Sequence, residues 1–324
     1  MRRGQIKRTR ANNPPNGFEG AAILLYAATG AGEARMAGWT IGIIGGSGLY
    51  DVDGIEDGEW VACESPWGAP SDDCFVGWVG PVRVVFLPRH GRGHRIGPSE
   101  LNARANIDVL KRLGVTDILA VSSVGSLVED RPPGSFTIAD QFIDRTKGRA
   151  SSFFGSGMVA HVSMADPVCP RLSALAADAA RAGGAQTHVG GTYLAMEGPQ
   201  FSTRAESHLY RSWGCHIIGM TAMPEAKLAR EAELPYALVG MVTDYDCWRE
   251  GEEAVDVAQV IAQLSANAAK ARAMVMHLLR ALPAERPASP IDACLDTALI
   301  TAPHARDPNL LAKLDAVAGR ALGK

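Results

Sequence analysis

No two cysteines in this chain stand at C-x-x-C spacing, and none lies at zinc-finger spacing to another cysteine or to a histidine. The six thiols, at 63, 74, 169, 215, 247 and 294, therefore read as scattered residues of a reducing compartment rather than a disulfide framework or a metal cluster. No apolar run reaches the roughly 18 residues of a membrane span. A basic excess is missing too: the formal charge is −3, which argues against nucleic acid as a partner. There is no internal repeat and no heptad array. What remains is the composition of an ordinary soluble globular protein, 47% hydrophobic and 21% charged over 324 residues. At that length roughly three quarters of the unfolded surface can be buried, so a large core forms without staples.

The N-terminus is basic, with Arg2, Arg3, Lys7, Arg8 and Arg10, and a short apolar piece, AAILLYAA (21–28), follows. Polar PPNGFEG separates the two and Glu19 sits beside the apolar run, which makes a poor signal peptide. Residues 1–39 are expected to be an extension, disordered or owed to a misplaced start codon. Met36 opens MAGWTIGIIGG, a natural beginning. The expected setting is the cytoplasm.

From residue 40 strand and helix signals alternate. Strands are expected at 40–46, in a hairpin at 74–88 turning at Gly80-Pro81, and at 116–125, 136–144 and 235–244. Helices are expected from a Ser99 cap to Leu113, over 168–182, from the Thr203/Glu206 capping box toward Trp213, after Pro224, and over about 254–282. PAERPASP (283–290) reads as a linker to a small helical tail, so the chain divides into 1–39, 40–282 and 283–324. The alternation points to an α/β fold with a mixed, largely parallel central sheet flanked by helices. In such sheets ligands collect at the carboxyl ends of strands.

Three turns fall at such ends. GGSG (45–48) closes the first strand, but it is not a dinucleotide fingerprint. With Gly46 and Gly48 as the first glycines the third position is Asp51, and from Gly42 the second is Ile44. It is either a plain tight turn or a nest of N–H groups for one phosphate, with the Ser47 hydroxyl added. RHGRGH (89–94) offers two arginines beside glycines, and arginine fits an oxyanion bidentately. His90 and His94 are four apart, a metal spacing on a helix, yet Gly91 and Gly93 discourage the helix. SSVGS (122–126) adds small hydroxyl residues at a third strand end.

Together these stretches resemble the trimeric purine nucleoside phosphorylase family, and within it the branch that cleaves 5′-methylthioadenosine. The likeness rests on IGIIGGSGL (41–49), PWGAPSD (66–72), RHGRGH (89–94), NARANI (102–107), VGSL (124–127), DQFIDRT (140–146), MEGPQFSTRAE (196–206), GMTAMPEAKLARE (219–231) and TDYDCW (243–248), in family order over about 40–280. It implies a single phosphorylase-type domain and a homotrimer. The implied reaction is attack of phosphate on C1′, releasing adenine and 5-methylthioribose 1-phosphate. Inorganic phosphate is then a co-substrate, and no cofactor or metal is expected.

The resemblance implies phosphate contacts from Ser47, Arg89, His90, Ser122, the Ser123 N–H and Thr221, with Ser202 a weaker candidate. It implies Phe201 stacking on the base and Met220 against ribose. A 5′-group pocket would be lined by Val257, Val260 and Ile261, with His161 from a neighbouring subunit; the same helix stripe also fits a plain core face. Glu197 is read as structural. The departing purine gains negative charge and needs a proton or hydrogen bond at N7, for which Asp244 is the candidate. Asp246 lies two residues on, so in extended backbone both carboxylates face one side and raise each other's pKa. A carboxylate accepts from the adenine amino group, whereas 6-oxopurine relatives carry asparagine at the position of Asp244. The alternatives are a phosphorylase for 6-oxopurine nucleosides or methylthioinosine, a nucleoside-binding module without catalysis, or a hydrolase.

Overall fold

Near-continuous apolar runs at 41, 43 and 44, 118–121, 236–239 and 241–242 are the skeleton of the fold, because each strand they form is covered on both faces. The computed structural model describes residues 38–46, 49, 54–249 and 257–323, and of 257–259 the backbone alone. The expected extension before residue 38, Met36 within it, Ser47 and the Val257 side chain lie outside the described residues.

Among the described residues eleven strands form one sheet: β1 Thr40–Gly45, β2 Glu56–Val61, β3 Cys74–Val79, β4 Val82–Pro88, β5 Asp117–Ser126, β6 Phe136–Ala139, β7 Gln141–Asp144, β8 Thr187–Val189, β9 Thr192–Ala195, β10 Ile217–Gly219 and β11 Tyr236–Asp244. The order β2-β3-β4-β1-β5-β10-β9-β7 branches at β5, which also pairs β11, and β6 and β8 continue from there. Six of these pairings are parallel and four antiparallel, so the sheet is mixed and largely parallel.

Six α-helices are described: α1 Ala103–Arg112, α2 Pro170–Ala182, α3 Arg204–Ser212, α4 Ala222–Glu231, α5 Val257–Ala281 and α6 Pro308–Lys313. The period of two in the strands sorts their side chains between layers. Leu119, Val121, Ala237 and Val239 point to α2 and α5; Ile118, Ala120 and Leu238 point to α1 and α4. Burial of these chains is the main stabilising term, about 1.5–3 kcal/mol for each large aliphatic residue.

Two expectations are corrected. The first helix is capped not by Ser99 but by Asn102, whose side chain accepts from the Ala105 N–H; Pro98–Glu100 forms a separate 3₁₀ turn. The span 136–144 is two strands, since β6 pairs β11 and β8 while β7 leaves to pair β9. Asp140 sits at the break and accepts from the Gly191 N–H. The stretch after the linker holds α6 and short 3₁₀ turns, tied back by Arg320 to Glu233 and by Arg112 to Asp315. No helix of the described residues is long and apolar enough to cross a membrane.

Candidate active site

β4, β1, β5 and β11 are mutually parallel neighbours, so their carboxyl ends open on one edge of the sheet. The loops that follow them meet there. The Arg89 N–H donates to Gly45 O at 2.9 Å, which fastens the RHGRGH loop to the end of β1. Gly46, Arg89, His90, Ser122 and Ser123 line a cavity of about 60 Å³, closed on its apolar side by Leu49, Leu264 and Ala268. The Ser122 and Thr221 hydroxyls lie 3.3 Å apart. Thr221 precedes α4 without spending its hydroxyl on the helix, and Met223, at φ −118° and ψ 133°, is non-helical, so regular helix begins only after it.

Arg89 does not reach into solvent, as a loop arginine ordinarily does. It is 2% exposed. Nε and Nη2 donate to Glu225 at 2.9 and 3.1 Å, Nη1 to Val121 O at 2.9 Å and Nη2 to Ile44 O at 3.3 Å. Four of its five N–H groups are thereby engaged, leaving one on Nη1. The buried Tyr236 hydroxyl donates to Glu225 as well, at 2.8 Å. Neither Glu225 nor Tyr236 was expected from the sequence as part of this site.

His90 stacks on His94 with centroids 4.3 Å apart and planes 12° from parallel. Its Nδ1 donates to Ile96 O at 2.9 Å. Burial, with the nearby Arg89 and His94 charges, pushes its pKa down to about 4. Among the described residues no three His, Cys, Asp or Glu side chains gather as a metal site.

The acidic pair stands across β5 from the hydroxyls. A register shift between Val242 and Asp244 brings Asp244 opposite Gly125. A Cβ at 125 would lie 2.9 Å from Asp244 Oδ1, so only glycine lets the carboxylate approach. The backbone here is not extended as the sequence reading had it: Asp246 has φ 53°, and its N–H donates to Asp244 Oδ1 at 2.8 Å. A turn, not a pleat, puts both acids on one side. Thr243 donates to Asp244 Oδ2 at 2.7 Å. Burial raises the pKa of Asp244, against those two hydrogen bonds. Burial first, then the Asp244 charge, lifts Asp246 to about 6. Asp246 Oδ2 is buried without a hydrogen-bond partner, although the adjacent Ser207 still favours its charged form. An unpaired buried carboxylate oxygen beside a second acid holds a proton or awaits a donor.

The other expected residues divide. Ser202 is not brought to the hydroxyls: its Oγ donates to Met196 Sδ and its carbonyl accepts from Cys247, because the segment before α3 folds toward the acidic turn. Phe201, in the same segment, is 44% exposed. Met220 packs under Gly198, and Arg149 clasps the carbonyls of Met220, Met223 and Glu197. Glu197 is structural as read, paired with Arg149 at 3.1 Å. Arg149 itself was missed; one arginine in a polar loop gave no signal. On α5, Val260 is half-buried while Ile261 is 56% exposed; Leu264 and Ala268 are the ones that reach the cavity. They continue the i, i+4 stripe from Val260 and could have been read from it. His161 is exposed and its N–H donates to Ala298 O, with no contact to Arg89, Ser122 or Asp244 in its own chain.

Comparison with known proteins gives the family. Residues 40–280 match the model of the phosphorylase superfamily. The chain is 61% identical over 284 residues to S-methyl-5′-thioadenosine phosphorylase of Cereibacter sphaeroides, covering 87% of this chain and 98% of that one. It is 56% identical to the protein of that name from Rhodospirillum rubrum, covering 87% and 97%. Among solved structures, a methylthioadenosine phosphorylase from an Antarctic soil metagenomic library superposes with a TM-score of 0.82 at 47% identity, covering 86% of this chain and 99% of that one. A Schistosoma mansoni methylthioadenosine phosphorylase in complex with adenine gives 0.70 at 40%, covering 74% and 91%.

Proposed function

The chain belongs to the phosphorylase superfamily, and from that premise we propose that it cleaves 5′-methylthioadenosine with inorganic phosphate to adenine and 5-methylthioribose 1-phosphate. The observation that carries this reading is the spacing of two chemistries across β5: hydroxyls and a guanidinium on one side, two buried acids on the other. The relatives' names support the substrate class, and the two groups of side chains support a division of the reaction between them.

Phosphate sits against Ser122, Thr221, the Ser123 N–H, the free Nη1 hydrogen of Arg89 and His90, with Ser47 completing the nest. The glycosidic bond breaks through a transition state with positive charge on the ribosyl ring, and the anion beneath C1′ stabilises it. A phosphate oxygen forms the new bond to C1′ as the C1′–N9 pair leaves with the purine. No covalent enzyme intermediate and no metal is needed, so positioning carries much of the rate. Asp244 and Asp246 titrate as a pair whose pKa values burial raises, that of Asp246 to about 6, and the proton-bearing form of the pair meets N7. The other carboxylate oxygens accept from the 6-amino group. Phe201 covers the base and Met220 the ribose. In this reading the protein is a cytoplasmic homotrimer. The exposure of Phe201, Ile261 and His161 supports that reading, since each is free to meet a neighbouring subunit.

A phosphate-dependent assay comparing methylthioadenosine, adenosine, inosine and methylthioinosine tests the reading. Cleavage of methylthioadenosine that stops without phosphate is expected; preference for the 6-oxo substrates, or cleavage indifferent to phosphate, overturns it. Light scattering on the eluted protein is expected to show three chains; a monomer of full activity would remove the role given to His161.

A further inference from the structure

We propose that His90 is the residue by which the pocket distinguishes phosphate from sulfate: its Nε2 accepts a hydrogen bond from a P–OH, so the bound anion must bring a proton or draw one from water. This rests on the anion site assigned above and adds to it which ionic form is held there.

The argument is one of hydrogen-bond polarity. After β4 ends at Pro88, Gly91, Gly93 and His94 all take positive φ (71°, 81° and 53°) and turn the loop back on itself. Ile96 N–H then donates to His90 O at 3.1 Å, and His90 Nδ1 meets Ile96 O at 2.9 Å. A carbonyl oxygen only accepts, so Nδ1 carries a hydrogen in every protonation state of the ring. In the neutral ring Nε2 is consequently a bare lone pair, and it has no hydrogen-bond partner among the described residues. The ring lines the cavity. A fully ionised oxyanion also presents only lone pairs. The contact between them needs one proton, and HPO₄²⁻ or H₂PO₄⁻ carries it whereas SO₄²⁻ does not.

The surroundings keep the imidazole neutral. Burial disfavours the charged ring most, and Arg89, its neighbour in sequence, and the stacked His94 add to that. No described carboxylate is free to offset them: Glu225 is taken by Arg89, and Asp72, on the adjoining loop, by Arg92 at 2.6 Å and Arg95 at 3.5 Å. Asp51 and Asp53 lie outside the described residues. From β5 the pocket receives neutral Ser122 and Ser123, and from α5 the apolar Leu264 and Ala268. The Ser122 and Thr221 hydroxyls and the free Arg89 N–H donate equally well to either anion, so they cannot tell the two apart.

Isothermal titration of the full chain with phosphate and with sulfate, at about pH 6.5 and about pH 8.5 and in two buffers of different ionisation enthalpy, tests this. Sulfate is expected to weaken roughly 100-fold between the two conditions, tenfold per unit, with uptake of about one proton. Phosphate is expected to change by less than about fivefold, with little net exchange above its own second pKa, about 7. In His90→Asn, whose amide offers both a donor and an acceptor, sulfate affinity is expected to become flat with pH. Wild-type protein that binds sulfate equally at both pH values without proton uptake overturns the inference, and needs no variant to do so. So does a His90→Asn protein that keeps the proton uptake. Flat sulfate binding with intact phosphorolysis refutes this inference alone; normal anion binding without phosphorolysis refutes the proposed function alone.

Discussion

Substituting Gly125 by alanine tests whether the acidic pair is placed by backbone proximity. The glycine has an ordinary φ, so alanine strains nothing in the strand itself. The added Cβ would stand 2.9 Å from Asp244 Oδ1, 3.1 Å from Ile218 Cγ2 and 3.5 Å from Asp246 Cβ, where ordinary contact begins at 3.4 Å. Ile218 cannot retreat, since it is 4% exposed and packed with Leu127, Leu194 and Trp248. Asp244 Oδ1 must therefore give way by about 0.5 Å, the difference between 3.4 and 2.9 Å. That oxygen also accepts the Asp246 N–H, so both acids move together. Misplacing a catalytic group by about 1 Å can cost about 100-fold, so a loss of roughly 10- to 100-fold in kcat is expected. Overpacking should cost about 1–3 kcal/mol of stability, a fall of several degrees in Tm. The assay is steady-state phosphorolysis of methylthioadenosine at saturating phosphate, beside phosphate titration by calorimetry. Phosphate affinity is expected to hold, because Ser122 and Thr221 are not touched. A kcat within about twofold of wild type would refute the steric argument, and an equal loss of phosphate affinity would show that the whole strand had been disturbed.

Asp244→Asn is expected to lower methylthioadenosine turnover by about 10²- to 10⁴-fold, the usual weight of a general acid, while leaving phosphate affinity in place; equal losses on 6-amino and 6-oxo substrates would count against base selection at this residue. Glu231, which holds Ser152 Oγ and the Phe153 N–H, has its pKa lifted to about 7 by burial. A carboxyl raised in the folded state stabilises fully below its unfolded value, near 4.5, and that stabilisation is lost as pH rises through about 7. Thermal unfolding of Glu231→Gln should therefore gain on wild type as pH goes from 5 to 8, by up to about 3 kcal/mol; a constant offset across that range would show that the group does not titrate there. Deleting residues 1–35 should leave phosphorolysis unchanged, because the family match runs over 40–280 and relatives covered at 98% of their length use 87% of this chain; a collapse in soluble yield would show otherwise.

Features governed by local chemistry were legible in the sequence. The Gly80-Pro81 hairpin, the Thr203/Glu206 capping box and the apolar runs of β1, β5 and β11 appear where they were read. β2 was not foreseen: EDGEWV is almost wholly exposed, and it is a strand only because β3 offers it a hydrogen-bonding edge. β8, β9 and β10 span three or four residues each, too short for a period to show, and are strands by virtue of their neighbours. Ser99 and Asn102 are both good helix caps, and which one serves is decided by Asn102 also holding Trp67 O and Ala69 O.

The site divides along the same line. Candidate residues at strand ends could be read because topology brings those ends together whatever the side chains are. Their partners were missed. Glu225 in AMPEAKLARE looks like an ordinary charge on a helix, and nothing local tells that it is 4% exposed beneath the sheet. Its effect on the chemistry is large. A buried arginine with no counter-ion would be prohibitive, so Glu225 is what allows Arg89 to exist at this depth. It also cancels most of the charge that the sequence appeared to offer an anion. With His90 neutral as well, the proposed phosphate site would act through directed donors, two hydroxyls, backbone N–H groups and one guanidinium hydrogen, rather than through net charge. That is consistent with a nucleophile that has to leave its site as part of the product: strong charge pairing would hold it in the ground state, while fixed dipoles position it and still let it go.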